Sequence, residues 1–253
     1  MTIRVKALVA AIIAVAPVAA CSSSSPASQP SSSPRAVDVH ALASRMRSGL
    51  SGLATAHIAV DAGPLGGSSS GDFRYANGSA TASRIFLGSG DQQTEVITVG
   101  STSYAKLPQG ENTSGKPWLK VSATSSNQYL RGVSDALGVA SAAGSIPAVA
   151  DIVDSATAAH DKGATSVNGV AAHMYSIDVV PAQAPAGPLG SLLQQLGQQT
   201  VPIQVALDQK NRPVRIAVEV RLGGLSTVVT ITVSKFNQPV QITAPAPDQV
   251  ALG

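Results

Sequence analysis

Cysteine is nearly absent. Cys21 is the only one in 253 residues, so no disulfide can form within the chain and no thiol pair is available for redox chemistry. Aromatic residues make up 3% of the sequence, too few for the stacked side chains on which single-stranded nucleic acid is bound. Charge is also scarce, at 12%. The formal net charge of +3 comes from 17 basic and 14 acidic residues; without Arg4 and Lys6, 15 basic residues face 14 acidic ones and the balance falls to +1. With a balance so close to zero, the basic pI says almost nothing about nucleic acid or anionic membranes, and with so few aromatics no nucleic-acid partner is expected. His40, His57, His160 and His173 are scattered, with no His-x-x-x-His pair, so no metal and no cofactor are expected. No glycine-rich loop ends in Lys-Ser or Lys-Thr. Gly67-Ser-Ser-Ser-Gly71 fits G-x-S-x-G with Ser69 as nominal nucleophile. A nucleophile elbow needs a strand before the serine and a helix after it. Here Gly63-Pro-Leu-Gly precedes and strand-like Asp72-Phe-Arg-Tyr75 follows, so a hairpin loop is expected and no enzyme.

Long apolar runs are missing as well. The uncharged stretch Ala7–Ala20 falls short of the roughly 20 residues that span a bilayer. It follows Arg4 and Lys6 and ends in Val18-Ala19-Ala20-Cys21, the layout of a secretory signal. The ending resembles a bacterial lipobox, in which the thiol becomes a diacylglyceryl thioether and cleavage leaves the cysteine first. Residues 1–20 are therefore expected to be a lipoprotein signal, and Cys21 the lipidation site. Residues 21–36 are Ser/Pro-rich without apolar periodicity, a spacer between lipid and fold. Residues 37–253 are expected to form a single domain.

Val37, Leu42, Met46, Leu50 and Leu53 recur at helical spacing behind Asp38, a residue suited to an N-cap. Short alternating segments follow, at His57–Ala62, Asp72–Tyr75, Thr81–Leu87, Thr94–Val99, Ser103–Leu107 and Pro117–Val121, punctuated by turns such as Asn77-Gly78. Ala-rich Ser126–Leu137 and Ile146–His160 carry a helical period. Strands resume at Lys162–Val167 and Ala172–Val180, around the hairpin signal Asn168-Gly169. After a Pro181–Pro188 insertion and a short helix at Leu189–Leu196, three strands close the pattern: Val201–Leu207, Val214–Leu222 and Thr227–Phe236. The fold class is α+β, a large curved antiparallel sheet covered by a few helices.

Four stretches resemble one known family. They are Val170-Ala-Ala-His-Met-Tyr-Ser-Ile-Asp178, Val201-Pro-Ile-Gln-Val-Ala-Leu-Asp208, Asn211-Arg-Pro-Val-Arg215, and the ending Ser234 to Pro245. With the lipobox and the helix before the first strand, they look like the LppX/LprG-type mycobacterial lipoproteins, similar in fold to the LolA and LolB carriers. The resemblance implies a half-barrel with an apolar cavity beneath helices, holding acyl chains of envelope lipids or glycolipids. It also implies a monomer held by N-terminal acyl groups on the outer face of the plasma membrane, with an export transporter as a candidate partner.

Alternation supplies the candidate cavity wall: Ile58 and Val60, then Ile85 and Leu87, from the first half of the domain. Ile203, Val205 and Leu207, then Ile216, Val218 and Val220, then Val229, Ile231 and Val233, come from its last three strands. The same alternation describes any half-buried sheet, so the alternative is a lipid-anchored interaction or assembly factor with a solid core. Trp118 reads as a packing residue or a cavity rim, and Pro181–Pro188 as a candidate lid. One expected outcome follows for the anchor. Cys21→Ser should leave the thermal melt of the domain unchanged while moving the protein from the membrane to the soluble fraction; a variant that stays with the membrane would refute Cys21 as the attachment point.

Overall fold

Residues 35–63, 67–88, 93–106, 115–122, 128–222 and 225–251 are described by a computed structural model; Cys21, the signal and most of the spacer lie outside them. Strand β1, Arg35–Val37, precedes helix α1, Val39–Leu50. The carboxylate of Asp38 accepts a hydrogen bond from the Ala41 amide, as its N-cap position requires. The first meander is β2 Thr55–Asp61, β3 Ser68–Ala76, β4 Ser79–Leu87, β5 Thr94–Val99, β6 Thr102–Lys106 and β7 Trp118–Lys120. Helices α2, Gln128–Gly144, and α3, Ile146–Asp154, follow. The second meander is β8 Ala158–Val167, β9 Val170–Val179, β10 Val201–Asp208, β11 Pro213–Leu222 and β12 Leu225–Ser234, with α4, Pro188–Gln195, between β9 and β10. Strand β13, Val250–Ala251, is the last described element.

All thirteen strands form one sheet in the order β1-β8-β9-β10-β11-β12-β2-β3-β4-β5-β6-β7-β13, antiparallel throughout except for β7 with β13. The two meanders join at its centre, where Ile231 pairs with Val60 and Val233 with Ile58. The predicted α+β class and large antiparallel sheet are therefore present. Asn77-Gly78 and Asn168-Gly169 both have positive φ at the two turn positions, the geometry that matches hairpin twist.

Three local readings differ from the structure. The second Ala-rich helix ends at Asp154, and Ala158 to His160 belong to β8, because Ala159 and His160 are paired on both sides, by β1 and by β9. Two-sided pairing outweighs helix propensity. Ser68–Ser70, read as part of a loop, are strand residues held between β2 and β4, with Ser69 opposite Val60 and Leu87. The sheet also begins at Arg35, before the helical pattern does. Past Ser234, an extended segment crosses the outer face of the first meander. There Ile242 packs on Ala82, Ile97 and Trp118, and the Ile242 carbonyl accepts from Arg74 Nη2 at 3.4 Å. Trp118 thus packs on the outer face, away from any cavity rim.

The helices cover the inner face. Phe73 and Tyr75 of β3 meet the end of α2, where Gly144 allows a close approach. A Cβ on Gly144 would sit 2.3 Å from Phe73 Cε1, whereas one on Gly138, earlier in α2, would meet nothing within 4 Å. Gly144→Ala should therefore destabilise the fold by about 1–3 kcal/mol through overpacking. Gly138→Ala should stabilise it by about 0.5–1 kcal/mol by removing chain entropy from the unfolded state. Urea melts of the two variants measure the contrast, and equal effects would refute it.

Candidate functional site

The inner face of the sheet is dry because alternation puts every second residue of the second meander on it. Ile177 and Val179 of β9, Ile203 and Val205 of β10, Ile216 and Val218 of β11, and Ile231 of β12 lie side by side under the helices. The cover comes from Ala142 and Ala143 of α2, Val149, Ile152 and Val153 of α3, and Leu189 and Leu193 of α4. No polar or aromatic side chain borders the seam between the two layers. Its free volume is about 20 Å³, room for about one water molecule. Ligand pockets run to about 300–1,000 Å³. The open cavity expected between sheet and helices is thus a closed seam in this structure.

Of the predicted wall residues, Ile203, Val205, Ile216, Val218 and Ile231 border the seam. Ile58, Val60, Ile85, Leu207, Val220 and Val233 are buried in the same core cluster, and Leu87 and Val229 pack against it half-buried. The alternation thus picks out the inner face and does not separate the seam from the solid core beside it. The helical contributors were missed. Their signal was the run of small residues near the end of α2, where Ala140, Ala142 and Ala143 are buried in place of the bulkier Leu130, Val133 and Leu137 of its first turns. Pro181–Pro188 does not itself cover the seam. It forms a 3-10 turn at Pro181–Gln183 and leads into α4, whose Leu189 and Leu193 do.

Polar contacts hold the cover from its rim. The Tyr75 hydroxyl donates to the Gly144 carbonyl at 2.8 Å, and burial pushes this phenol well above its ordinary value. Helix α1 clamps α3 through charge. Arg47 donates to Asp151 at 3.0 Å and to Asp154 at 2.8 Å, and His40 Nδ1 lies 2.7 Å from Asp154. The hydrogen bond to Asp154 raises the His40 pKa above 6.5, and hydrogen bonds from Arg47 and His40 lower that of Asp154 below 3.8.

The remaining chemistry is sparse. His57 pairs with Asp72 at 2.7 Å and His173 with Asp161 at 2.5 Å. Among the described residues, no group of three or more histidines and carboxylates is placed to hold a metal. Ser69 sits mid-sheet in β3, with no helix after it.

No protein-family model and no curated protein sequence matches the chain. Among the solved structures that it matches are two mycobacterial proteins of the same fold. LprF from Mycobacterium bovis matches with a TM-score of 0.57 at 16% identity, covering 85% of this chain and 100% of its own. The Mycobacterium tuberculosis lipoprotein LppX matches at 0.53 and 19% identity, covering 81% of this chain and 98% of its own. The fold is thus the one expected from the resemblance to LppX.

The clamp between α1 and α3 has a definite pH window. A raised imidazole pKa stabilises the fold below its unfolded value and loses that contribution as pH rises through the folded one. A depressed carboxylate pKa acts the other way, its contribution lost as pH falls. The His40–Asp154 contact is therefore complete between the carboxylate range and the imidazole range. Both groups are exposed, so the effect is small. Between about pH 5.5 and about pH 8.5 the wild type should lose a small part of its melting temperature that His40→Gln does not lose; parallel losses would show that the contact contributes nothing.

Proposed function

We propose that this chain is a membrane-anchored lipoprotein, held by acyl groups on Cys21 at the outer face of the plasma membrane. It takes the acyl chains of an envelope lipid or glycolipid into the seam between helices and sheet, and carries or presents them across the envelope. One observation carries this reading: fourteen aliphatic side chains, and no polar or aromatic one, border a seam that runs between the helices and the sheet. Each methylene held away from water there is worth about 0.8 kcal/mol. One part of the cover is cheaper to lift than the rest. Near its C-terminal end α2 buries alanines instead of larger residues, so little apolar area per residue is lost on opening. Gly132 and Gly138 lower its helical propensity at positions where packing does not require glycine. The shared fold of the lipoprotein LppX supports the same reading.

The free volume of about 20 Å³ favours a second reading, an anchored interaction or assembly factor whose core stays solid. Native mass spectrometry of the Cys21→Ala chain lacking residues 1–20, after incubation with vesicles of diacylglycerol and a neutral glycolipid, separates the two. Adducts of one lipid mass are expected. An unchanged protein mass after prolonged incubation with both lipids would overturn carriage and leave the assembly reading.

A further inference from the structure

The outer face of the sheet, away from the helices, carries one arginine that stands apart from its neighbours. Arg84 donates to Glu95, Arg221 to Glu219, Arg212 to Asp208 and Arg74 to the Ile242 carbonyl. Among the described residues Arg215 of β11 has no hydrogen-bonding or ionic partner, and its Nε is buried without an acceptor. A buried donor left unpaired is a cost to the fold. The side chain is half-buried, so its guanidinium is a positioned cation and not a freely solvated tip.

Arg215 borders a hollow of about 700 Å³ on this face, within the range of ligand pockets, about 300–1,000 Å³. The strand register explains the hollow. Arg215 pairs with Thr232, Thr232 with Ala59, and Ala59 with Ser70; in the adjacent outward row Thr230 pairs with Asp61 and Asp61 with Ser68. Only short side chains lie between β11 and β3, which leaves a shallow trough across four strands. The hydroxyls of Ser68, Ser70, Thr230 and Thr232 line it and hydrogen-bond to no described residue. Asp61 also lines it, and one of its carboxylate oxygens accepts from the Gly63 amide at 2.9 Å, with no described cation beside it. Two strand spacings and a two-residue rise separate Asp61 from Arg215, about 12 Å between their backbones. The trough thus has a cation at one end, an anion at the other and hydroxyls between. An inorganic anion would leave Asp61 unpaired, and a neutral sugar would leave both charges unpaired. Two or three extended residues with free termini place opposite charges about 7–11 Å apart, and their amides would meet the hydroxyls.

We propose that this trough is a binding site for a short zwitterionic peptide, its terminal carboxylate on the Arg215 guanidinium and its terminal ammonium on Asp61. The site is independent of the seam, because alternation turns Arg215 and Asp61 to the opposite side of the sheet from Ile216 and Val60. The full-length chain in detergent is titrated calorimetrically with trialanine, N-acetyl-trialanine and trialanine amide. Trialanine should bind, and blocking either terminus should weaken it about tenfold, the worth of one hydrogen bond to a charged group. Arg215→Gln should weaken trialanine about tenfold and bind it no better than the amide. Asp61→Asn should weaken it similarly and bind it no better than the acetylated peptide. Arg215 has no described partner to lose, and the asparagine keeps an acceptor for Gly63, so both melting temperatures should hold. Equal affinity for the three peptides, no heat from trialanine, or a variant that keeps its discrimination would overturn the site. Displacement of trialanine by inorganic phosphate at equal concentration would show a plain anion site and overturn the peptide assignment.

Discussion

A thirteen-stranded open sheet with a dry inner face has to be covered along its length, and this chain has four helices among its described residues to do so. Most other features follow from that constraint. The cover is divided, with α1 packed on α3 and α2 on α4. The seam is bordered by two small side chains of the cover, Ala142 and Ala143, and by twelve larger aliphatic ones. The outer face of the first meander is covered differently, by the extended segment after Ser234.

The charge distribution fits the same constraint. With few charged residues to place, the chain puts Arg47, Asp151, Asp154 and His40 at the solvent side of the α1–α3 contact and none against the seam. A clamp of exposed groups fixes the position of α3 without a buried ion pair, whose desolvation would have to be offset inside an aliphatic core. Tyr75 does the corresponding work on α2 with one neutral hydrogen bond.

Strands that alternate cleanly, such as Val214–Leu222, and turns that need positive φ, such as Asn168-Gly169, were legible from the residues alone. So was the inner face, because its thirteen candidates are all buried or half-buried against one core. The closed seam was not legible. Alternation tells which way a side chain points and says nothing about how tightly the opposite layer presses on it. The helix–strand boundary at Asp154 was lost because alanine serves both states and pairing with β1 and β9 decides between them. The segment around Ile242 has too many prolines for a period of its own, and only its landing place explains it.

The pairing of β12 with β2 at the middle of the sheet joins Ile231 to Val60 and Val233 to Ile58, residues from opposite ends of the folded chain. No stretch short of that pairing holds both halves of the sheet together, so loop-closure entropy is met late and folding of so non-local a topology is slow. A ribosome delivering this chain from its N-terminus releases the first meander well before its central neighbour. Until β12 arrives, β2 is an open edge with a dry face, the kind of surface that chaperones hold. The chain therefore stays loose during delivery and commits to its fold only when nearly all of it has emerged.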